Sequence, residues 1–207
     1  MKIAIGLIAA LCVCGSANAA PQRLAVNGNT LFFDTSRPYE GAEETGIISR
    51  DVDEIGQVLM EHPEVMKMDI ISDGGDTGAA MVISNQIGDL GLATAVHGAC
   101  YSACVYVFLA GTPRTLAKGG VLGFHASFFD LEKSERRAVW TGKMRSPKFV
   151  TYGECAYDKS INQNLEMINY LQYRGVSLSF ALNILSYDRS EIWTPSRAEM
   201  TAAGVLN

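Results

Sequence analysis

A serine between two cysteines introduces an apolar run in "HGACYSACVYVFLAG", residues 97–111. Ser102 has Cys100 two positions before it and Cys104 two positions after it, and residues 103–110 are apolar throughout. Such a stretch predicts a buried helix with Ser102 in its first turn. A serine there is most often a helix N-cap. It can also be a nucleophile, because the N–H groups and dipole at a helix start stabilise negative charge on a substrate carbonyl.

A nucleophilic serine needs a base, and the chain has three histidines. His62 stands at the polar end of a predicted helix and is expected on the surface. His97 lies five residues before Ser102 and is expected to pack or to hydrogen-bond locally. His125, in "GGVLGFHAS", ends an apolar strand, and active residues of parallel α/β sheets gather at the carboxyl ends of strands. His125 is therefore the predicted base.

Paired glycines follow an apolar strand in "IISDGGD", residues 70–76. Gly74 and Gly75 permit a tight turn whose N–H groups face outward at the start of a helix, which suits an anion or a developing oxyanion. The alternative is an ordinary strand-to-helix turn. Neither G-x-x-x-x-G-K-[ST] nor G-x-G-x-x-G occurs, so the sequence predicts no nucleotide site. We expect no cofactor and no metal.

Strands and helices alternate along the rest of the chain. A hairpin is predicted around Asn27-Gly28, and helices are predicted from Asp51 and in two pieces from about Asn162, split at Gly175. Further strands are predicted over 46–49, 68–72, 92–98 and 120–127, and further helices over 76–91 and 102–110. This alternation predicts an α/β fold with a mainly parallel sheet.

The first residues have the pattern of a secretory signal. Lys2 precedes an apolar stretch from Ile3 to Val13, and Ala17-Asn18-Ala19 forms an A-x-A cleavage site. We expect residues 1–19 to be removed and residues 20–207 to form one domain in the periplasm or outside the cell. The alternative is a short N-terminal anchor. No later apolar run is long enough for a stable membrane span.

The net charge of −5 becomes about −6 when the signal is removed. An acidic balance argues against nucleic acid and against anionic lipid as partners. Cys100, Cys104 and Cys155 then remain in a compartment where disulfides persist. One helical turn separates Cys100 from Cys104, which suits the Cα distance of about 4.4–6.8 Å in disulfides. This pair is favoured over Cys104–Cys155.

The order of these motifs resembles that of the Clp protease proteolytic subunit and signal peptide peptidase group, which are serine peptidases on the ClpP/crotonase fold. The likeness runs from about Ile70 to Ser127 and, more loosely, through "IWTPSRAEMTAAGVLN" at the end. It is strongest to exported, single-domain relatives with a "C-x-S-A-C … FLAG … LGFH" pattern. The resemblance implies a ββα spiral with mainly parallel sheets.

The resemblance also implies roles for individual residues. Ser102 would be the nucleophile, His125 the base, and the N–H groups of Gly75 and Ala103 the oxyanion hole. Asp188 is the nearest fit for an acid that orients the histidine.

Two departures from the family pattern accompany these roles. The spacing from Asp188 to Trp193 is longer than in the family, so Glu191 is a rival for the acid, and a Ser/His dyad is a third arrangement. Asp73 stands where the family usually has proline before the paired glycines.

As a function, the resemblance implies an exported, ATP-independent serine peptidase that acts on peptides or proteins and forms homo-oligomers. At the place of the polar segment 130–148, "DLEKSERRAVWTGKMRSPK", the family has a subunit handle or a lid. The alternative function is a catalytically inactive crotonase-type domain for binding or assembly. An acyl-CoA enzyme is a third reading, disfavoured because export removes the chain from the CoA pool.

Overall fold

The structure is a computed structural model that describes residues 22–127, 152–188 and 190–207. The predicted signal over residues 1–19 and the polar segment 130–148 lie outside these residues. Within the described ranges, none of the helices combines the length and the apolar character needed to cross a membrane.

Six strands of the described chain form one sheet, of which five run parallel. The strands are β1 Leu24–Asn27, β2 Thr30–Asp34, β3 Lys67–Ser72, β4 Ala93–Tyr101, β5 Arg114–Leu116 and β6 Val121–Gly123. β1 and β2 form an antiparallel hairpin, and β2, β3 and β4 are parallel neighbours. The first half of β4 pairs with β5 and its last three residues pair with β6. The mainly parallel α/β arrangement confirms the predicted fold class.

The helices of the described chain lie between and after the strands. They are α1 Arg50–Glu61, α2 Thr77–Asp89, α3 Cys104–Ala110, α4 Tyr152–Tyr173, α5 Leu178–Ile184 and α6 Arg197–Ala202. The Asp76 side chain caps α2 by accepting a hydrogen bond from the Ala79 N–H at 2.6 Å. Ser196 and Glu199 form a capping box at the start of α6.

One face of the sheet packs against the core. Phe33, Ile70 and Val96 are register partners on adjacent strands, and all three are fully buried. Every residue of α3 is buried, so this short helix runs through the interior. The residues that precede α3 are therefore held between the sheet and the core.

The structure differs from the sequence prediction near the paired glycines. The predicted strand over 46–49 is a single parallel bridge between Ile47 and Gly75. Gly46 has a φ of 75°, a left-handed conformation that interrupts extended chain before Ile47. Ile47 nevertheless donates and accepts backbone hydrogen bonds at the glycine turn. The loop therefore helps to hold the glycine turn in place.

A second difference concerns the boundary between β4 and α3. The predicted strand over 92–98 continues to Tyr101, because its last residues find partners in β6. The predicted helix over 102–110 begins at Cys104, so Ser102 precedes the helix and is not its N-cap. The three-residue strand β5 was not predicted, and α4 starts ten residues before Asn162.

Candidate functional site

Ser102 occupies a turn between β4 and α3 in an unusual backbone conformation. Its φ is 55°, in the left-handed region that non-glycine residues seldom adopt. Its N–H donates to the Gly123 carbonyl at 3.0 Å, and its own carbonyl accepts from the Val105 N–H at 3.0 Å. A disulfide joins Cys100 to Cys104 across the turn, with a Cα–Cα distance of 5.3 Å. Backbone hydrogen bonds and the disulfide thus hold the serine in a conformation that an unconstrained chain would seldom adopt.

His125 follows the end of β6 and reaches the serine. The distance between Ser102 Oγ and His125 Nε2 is 2.7 Å, and His125 Nδ1 lies 2.8 Å from the Ala126 carbonyl oxygen. A carbonyl oxygen only accepts, so Nδ1 carries the hydrogen of the neutral imidazole. Nε2 then presents its lone pair to the serine hydroxyl, which donates to it. This is the tautomer that a general base requires.

The glycine turn packs directly against the serine turn. Gly74 has a φ of 104° and Gly75 a φ of 139°. A methyl group in place of the Gly74 hydrogen would lie 2.7 Å from Ser102 Cβ and 3.3 Å from the Ala103 nitrogen. Among the described residues, neither the Gly75 N–H nor the Ala103 N–H donates a hydrogen bond to a protein group. Both donors are therefore available to an anion beside the serine.

A cavity of about 390 Å³ opens beside Ser102 and His125. The glycine turn and the start of α2 form one side, and α3, α4 and α5 form the rest. Burial raises the pKa of the Tyr106 phenol to about 12, and it also raises the pKa of the Tyr170 phenol. Both tyrosines therefore contribute uncharged side chains to the cavity wall. Eight lining residues from α3, α4 and α5 were not among the site residues predicted from the sequence. They are Val105, Tyr106, Leu109, Gln163, Met167, Tyr170, Leu171 and Ile184.

Solved structures include proteins of the same fold. A point mutant of ClpP1 from Listeria monocytogenes superposes with a TM-score of 0.61, over 87% of this chain and 90% of that chain. The fold is ClpP-like. The sequence identity is 15%, so the likeness concerns the fold and not the activity. A scan against protein-family models and a search of curated proteins give no match.

In this ClpP-like fold the Asp188 segment runs beside the histidine. The Ala126 N–H donates to the Tyr187 carbonyl at 2.7 Å. Asp188 Oδ1 accepts hydrogen bonds from the N–H and the hydroxyl of Ser190, at 2.7 and 2.5 Å. A third catalytic residue stays a prediction.

The other two histidines have carboxylate partners of their own. His62 Nδ1 lies 2.9 Å from Glu64 at an exposed position, as expected for a surface residue. His97 Nδ1 lies 2.7 Å from Asp69 on the neighbouring strand β3, so its partner is distant in sequence. The described residues bring together no group of three or more His, Cys, Asp or Glu side chains that could hold a metal ion.

The sequence analysis did not identify the α4 wall of the cavity. α4 begins about fifty residues after Ser102, and its approach to the serine depends on tertiary packing. Tyr170 connects α4 to α3, because its hydroxyl donates a hydrogen bond to the Tyr106 carbonyl at 2.6 Å. No periodicity or motif within α4 indicates this contact.

Proposed function

We propose that the protein is an exported, ATP-independent serine peptidase in which Ser102 is the nucleophile and His125 the general base. The observation that carries the proposal is the 2.7 Å distance between Ser102 Oγ and His125 Nε2, in the tautomer that the Ala126 carbonyl favours. The ClpP-like fold and the cavity beside the serine support it. The secretory pattern over residues 1–19 supports export.

The proposed reaction begins when His125 Nε2 takes the hydroxyl proton and Ser102 Oγ attacks the scissile carbonyl carbon. The oxyanion that forms accepts hydrogen bonds from the N–H groups of Gly75 and Ala103. The carbon–nitrogen bond breaks as His125 gives its proton to the leaving amine, which leaves an acyl-enzyme ester. Water then attacks the ester with His125 again as base, and the acid product departs.

The substrate would be an extended peptide. Small residues at the start of α2, Thr77 and Gly78, border the cavity and leave room for a chain that pairs with the backbone after the glycine turn. By analogy with the family the enzyme would be a homo-oligomer.

A fluorophosphonate probe tests the proposal, because it labels serines that a base activates. The wild-type protein should be labelled, and Ser102→Ala and His125→Ala should each abolish labelling while circular dichroism stays unchanged. Asp188→Asn should reduce labelling less than His125→Ala, since a carbonyl already fixes the histidine tautomer. Ser179→Ala and His97→Ala are matched controls that keep labelling, because Ser179 is exposed on α5 and His97 is paired with Asp69.

Labelling that survives Ser102→Ala would mean that another residue is the nucleophile. A folded wild-type protein that neither reacts with the probe nor cleaves any peptide would favour the catalytically inactive binding or assembly domain.

A further inference from the structure

A single peptide group connects His125 to α4. The Ala126 carbonyl oxygen lies 2.8 Å from His125 Nδ1, and the N–H of the same peptide group, that of Ser127, donates to Asn164 Oδ1 at 2.8 Å. Because a trans peptide group is planar, its C=O and N–H point in opposite directions. His125 and Asn164 therefore bind the two ends of one peptide dipole.

The Asn164 carboxamide is itself fixed by its partners. Its Nδ2 donates to the Ser127 carbonyl at 2.9 Å and to the Ser160 carbonyl, one turn earlier on α4, at 2.8 Å. A backbone N–H only donates and a carbonyl only accepts, so these contacts decide which end of the carboxamide is the oxygen. Asn164 thus holds both backbone polar groups of Ser127, which lies beyond the end of β6.

We infer that Asn164 is a positioning residue for His125 and acts through the Ala126–Ser127 peptide group. This inference rests on the proposed function, in which His125 is the base. The hydrogen bond to Asn164 fixes the peptide plane, which keeps the Ala126 carbonyl directed at Nδ1. It also polarises that carbonyl, because linked hydrogen bonds strengthen one another.

The polarised carbonyl has its largest effect when the serine proton moves. As Nε2 takes that proton the imidazole becomes a cation, and the Ala126 oxygen lies against its Nδ1–H. Orienting the ring and stabilising this cation are the tasks of the aspartate in a Ser-His-Asp triad. A peptide dipole that a carboxamide holds in place contributes to both tasks here.

Two substitutions distinguish positioning from support of the fold. Asn164→Leu removes the three hydrogen bonds at similar side-chain volume. Asn164→Asp keeps an acceptor for the Ser127 N–H, but its second oxygen faces the Ser127 and Ser160 carbonyls, which should lower stability. If Asn164 only tied α4 to the chain after β6, Asn164→Asp would react with the fluorophosphonate no faster than Asn164→Leu. If Asn164 positions His125, Asn164→Asp should react faster.

Saturation kinetics with the fluorophosphonate probe provide the first measurement. The maximal labelling rate of Asn164→Leu should fall about tenfold, the effect of about one lost hydrogen bond, with the half-saturating probe concentration unchanged. Asn164→Asp should stay within about threefold of the wild-type rate, because a carboxylate accepts at least as well as an amide oxygen. Asn169→Leu, at an exposed position of α4, is the matched control and should keep the wild-type rate.

Nitrogen NMR of isotopically labelled histidine provides the second measurement. In the wild-type protein the neutral His125 ring should carry its hydrogen on Nδ1, and the signal is assigned by its loss in His125→Ala. In Asn164→Leu both tautomers should be present, because the carbonyl is no longer fixed. A role confined to packing would leave the tautomer unchanged.

The outcomes separate this inference from the proposed function. If the wild-type protein is labelled at Ser102 and Asn164→Leu keeps both the rate and the tautomer, the role of Asn164 is overturned and the proposed peptidase stands. Equal losses in Asn164→Asp and Asn164→Leu would have the same meaning. A folded wild-type protein that neither reacts with the probe nor cleaves any peptide would overturn both. Asn164→Ala, which loses the same hydrogen bonds, replaces Asn164→Leu if the latter does not fold.

Discussion

At the level of single residues, the site depends on a serine in a left-handed conformation. Such a conformation costs about 1–3 kcal/mol and persists only when the surroundings hold it. Three constraints converge on the Ser102 turn: the hydrogen bond to Gly123, the contact with Gly74, and the Cys100–Cys104 disulfide. Both cysteines are fully buried, which protects the bridge from reductants. The disulfide is thus better suited to fix the serine than to act as a redox switch.

If the disulfide fixes the Ser102 turn, its removal should affect both stability and reactivity. The Cys100→Ala/Cys104→Ala double variant should lose about 2 kcal/mol of unfolding free energy, because a loop of this length has little chain entropy to lose. The rate of labelling by the fluorophosphonate should also fall, since the Ser102 turn is released. Chemical denaturation and labelling kinetics measure the two effects.

Cys155→Ser is the matched control and should leave both values unchanged. If residues 1–19 are removed as proposed, a peptide map of the non-reduced mature protein should join Cys100 to Cys104 and begin at Ala20. A Cys104–Cys155 peptide in that map would contradict the assigned bridge.

At the level of elements, a buried ion pair holds the loop that supports the glycine turn. Arg23 makes a bidentate contact with Asp51, at 2.7 and 2.6 Å, and also donates to the Gly46 carbonyl. The next residue, Ile47, donates to the Gly74 carbonyl at 2.6 Å and accepts from the Asp76 N–H at 2.8 Å. Ile47 is therefore the one residue that connects the loop held by the ion pair to the glycine turn of the proposed oxyanion hole.

Asp51→Asn tests this connection. Removing one partner of a buried ion pair should cost about 3–5 kcal/mol of unfolding free energy. We also expect probe labelling to slow by at least about tenfold under conditions where the variant is folded, because the Gly75 N–H loses its fixed position. Denaturation curves and labelling rates, taken on the same samples, separate stability from positioning.

Glu54→Gln is the control for this variant. It removes the carboxylate from an exposed pair with Arg50, at 2.9 Å, and should change stability by less than about 0.5 kcal/mol. If Asp51→Asn is destabilised but reacts with the probe at the wild-type rate, the loop supports the fold alone.

The order of most elements could be predicted because each of those elements has a local signal. Apolar runs and glycine breaks mark β3, α2, β4 and α3, and the residue order from Gly75 through Ser102 to His125 follows from them. β5 has only three residues, too few for a period, and the extension of β4 to Tyr101 depends on pairing with β6. The Gln163 contact with the cavity depends on tertiary packing, which no local pattern in α4 reports.

At the level of the whole molecule, the chain is acidic, whereas the proposed reaction forms negative charge at the site. The net charge is −5, and two carboxylates lie beside the glycine turn. Asp76 borders the cavity, and Asp73 borders a groove on the other side of the turn, lined also by Thr35 and Thr45. Both side chains are exposed, so their field acts mainly on substrates that approach from solvent.

We therefore expect basic or neutral extended peptides to be cleaved faster than acidic ones. Two unit charges about 4 Å apart in water interact by about 1 kcal/mol, so each charge should change kcat/KM by at most about fivefold. Peptides that share one cleaved sequence and differ only in a lysine, glutamine or glutamate further along provide the measurement. The preference should shrink in about 1 M salt, where the screening length is about 3 Å.

Single substitutions locate the source of this preference. Asp73→Asn and Asp76→Asn should each narrow the ratio between basic and acidic peptides, and asparagine retains the helix cap at position 76. Asp53→Asn, which removes the same charge from the exposed side of α1, should leave the ratio as it is. Equal cleavage of acidic and basic peptides by the wild-type enzyme at low salt would show that the two carboxylates act on the fold and not on the substrate. A preference that persists in both variants would instead place its source elsewhere on the acidic surface.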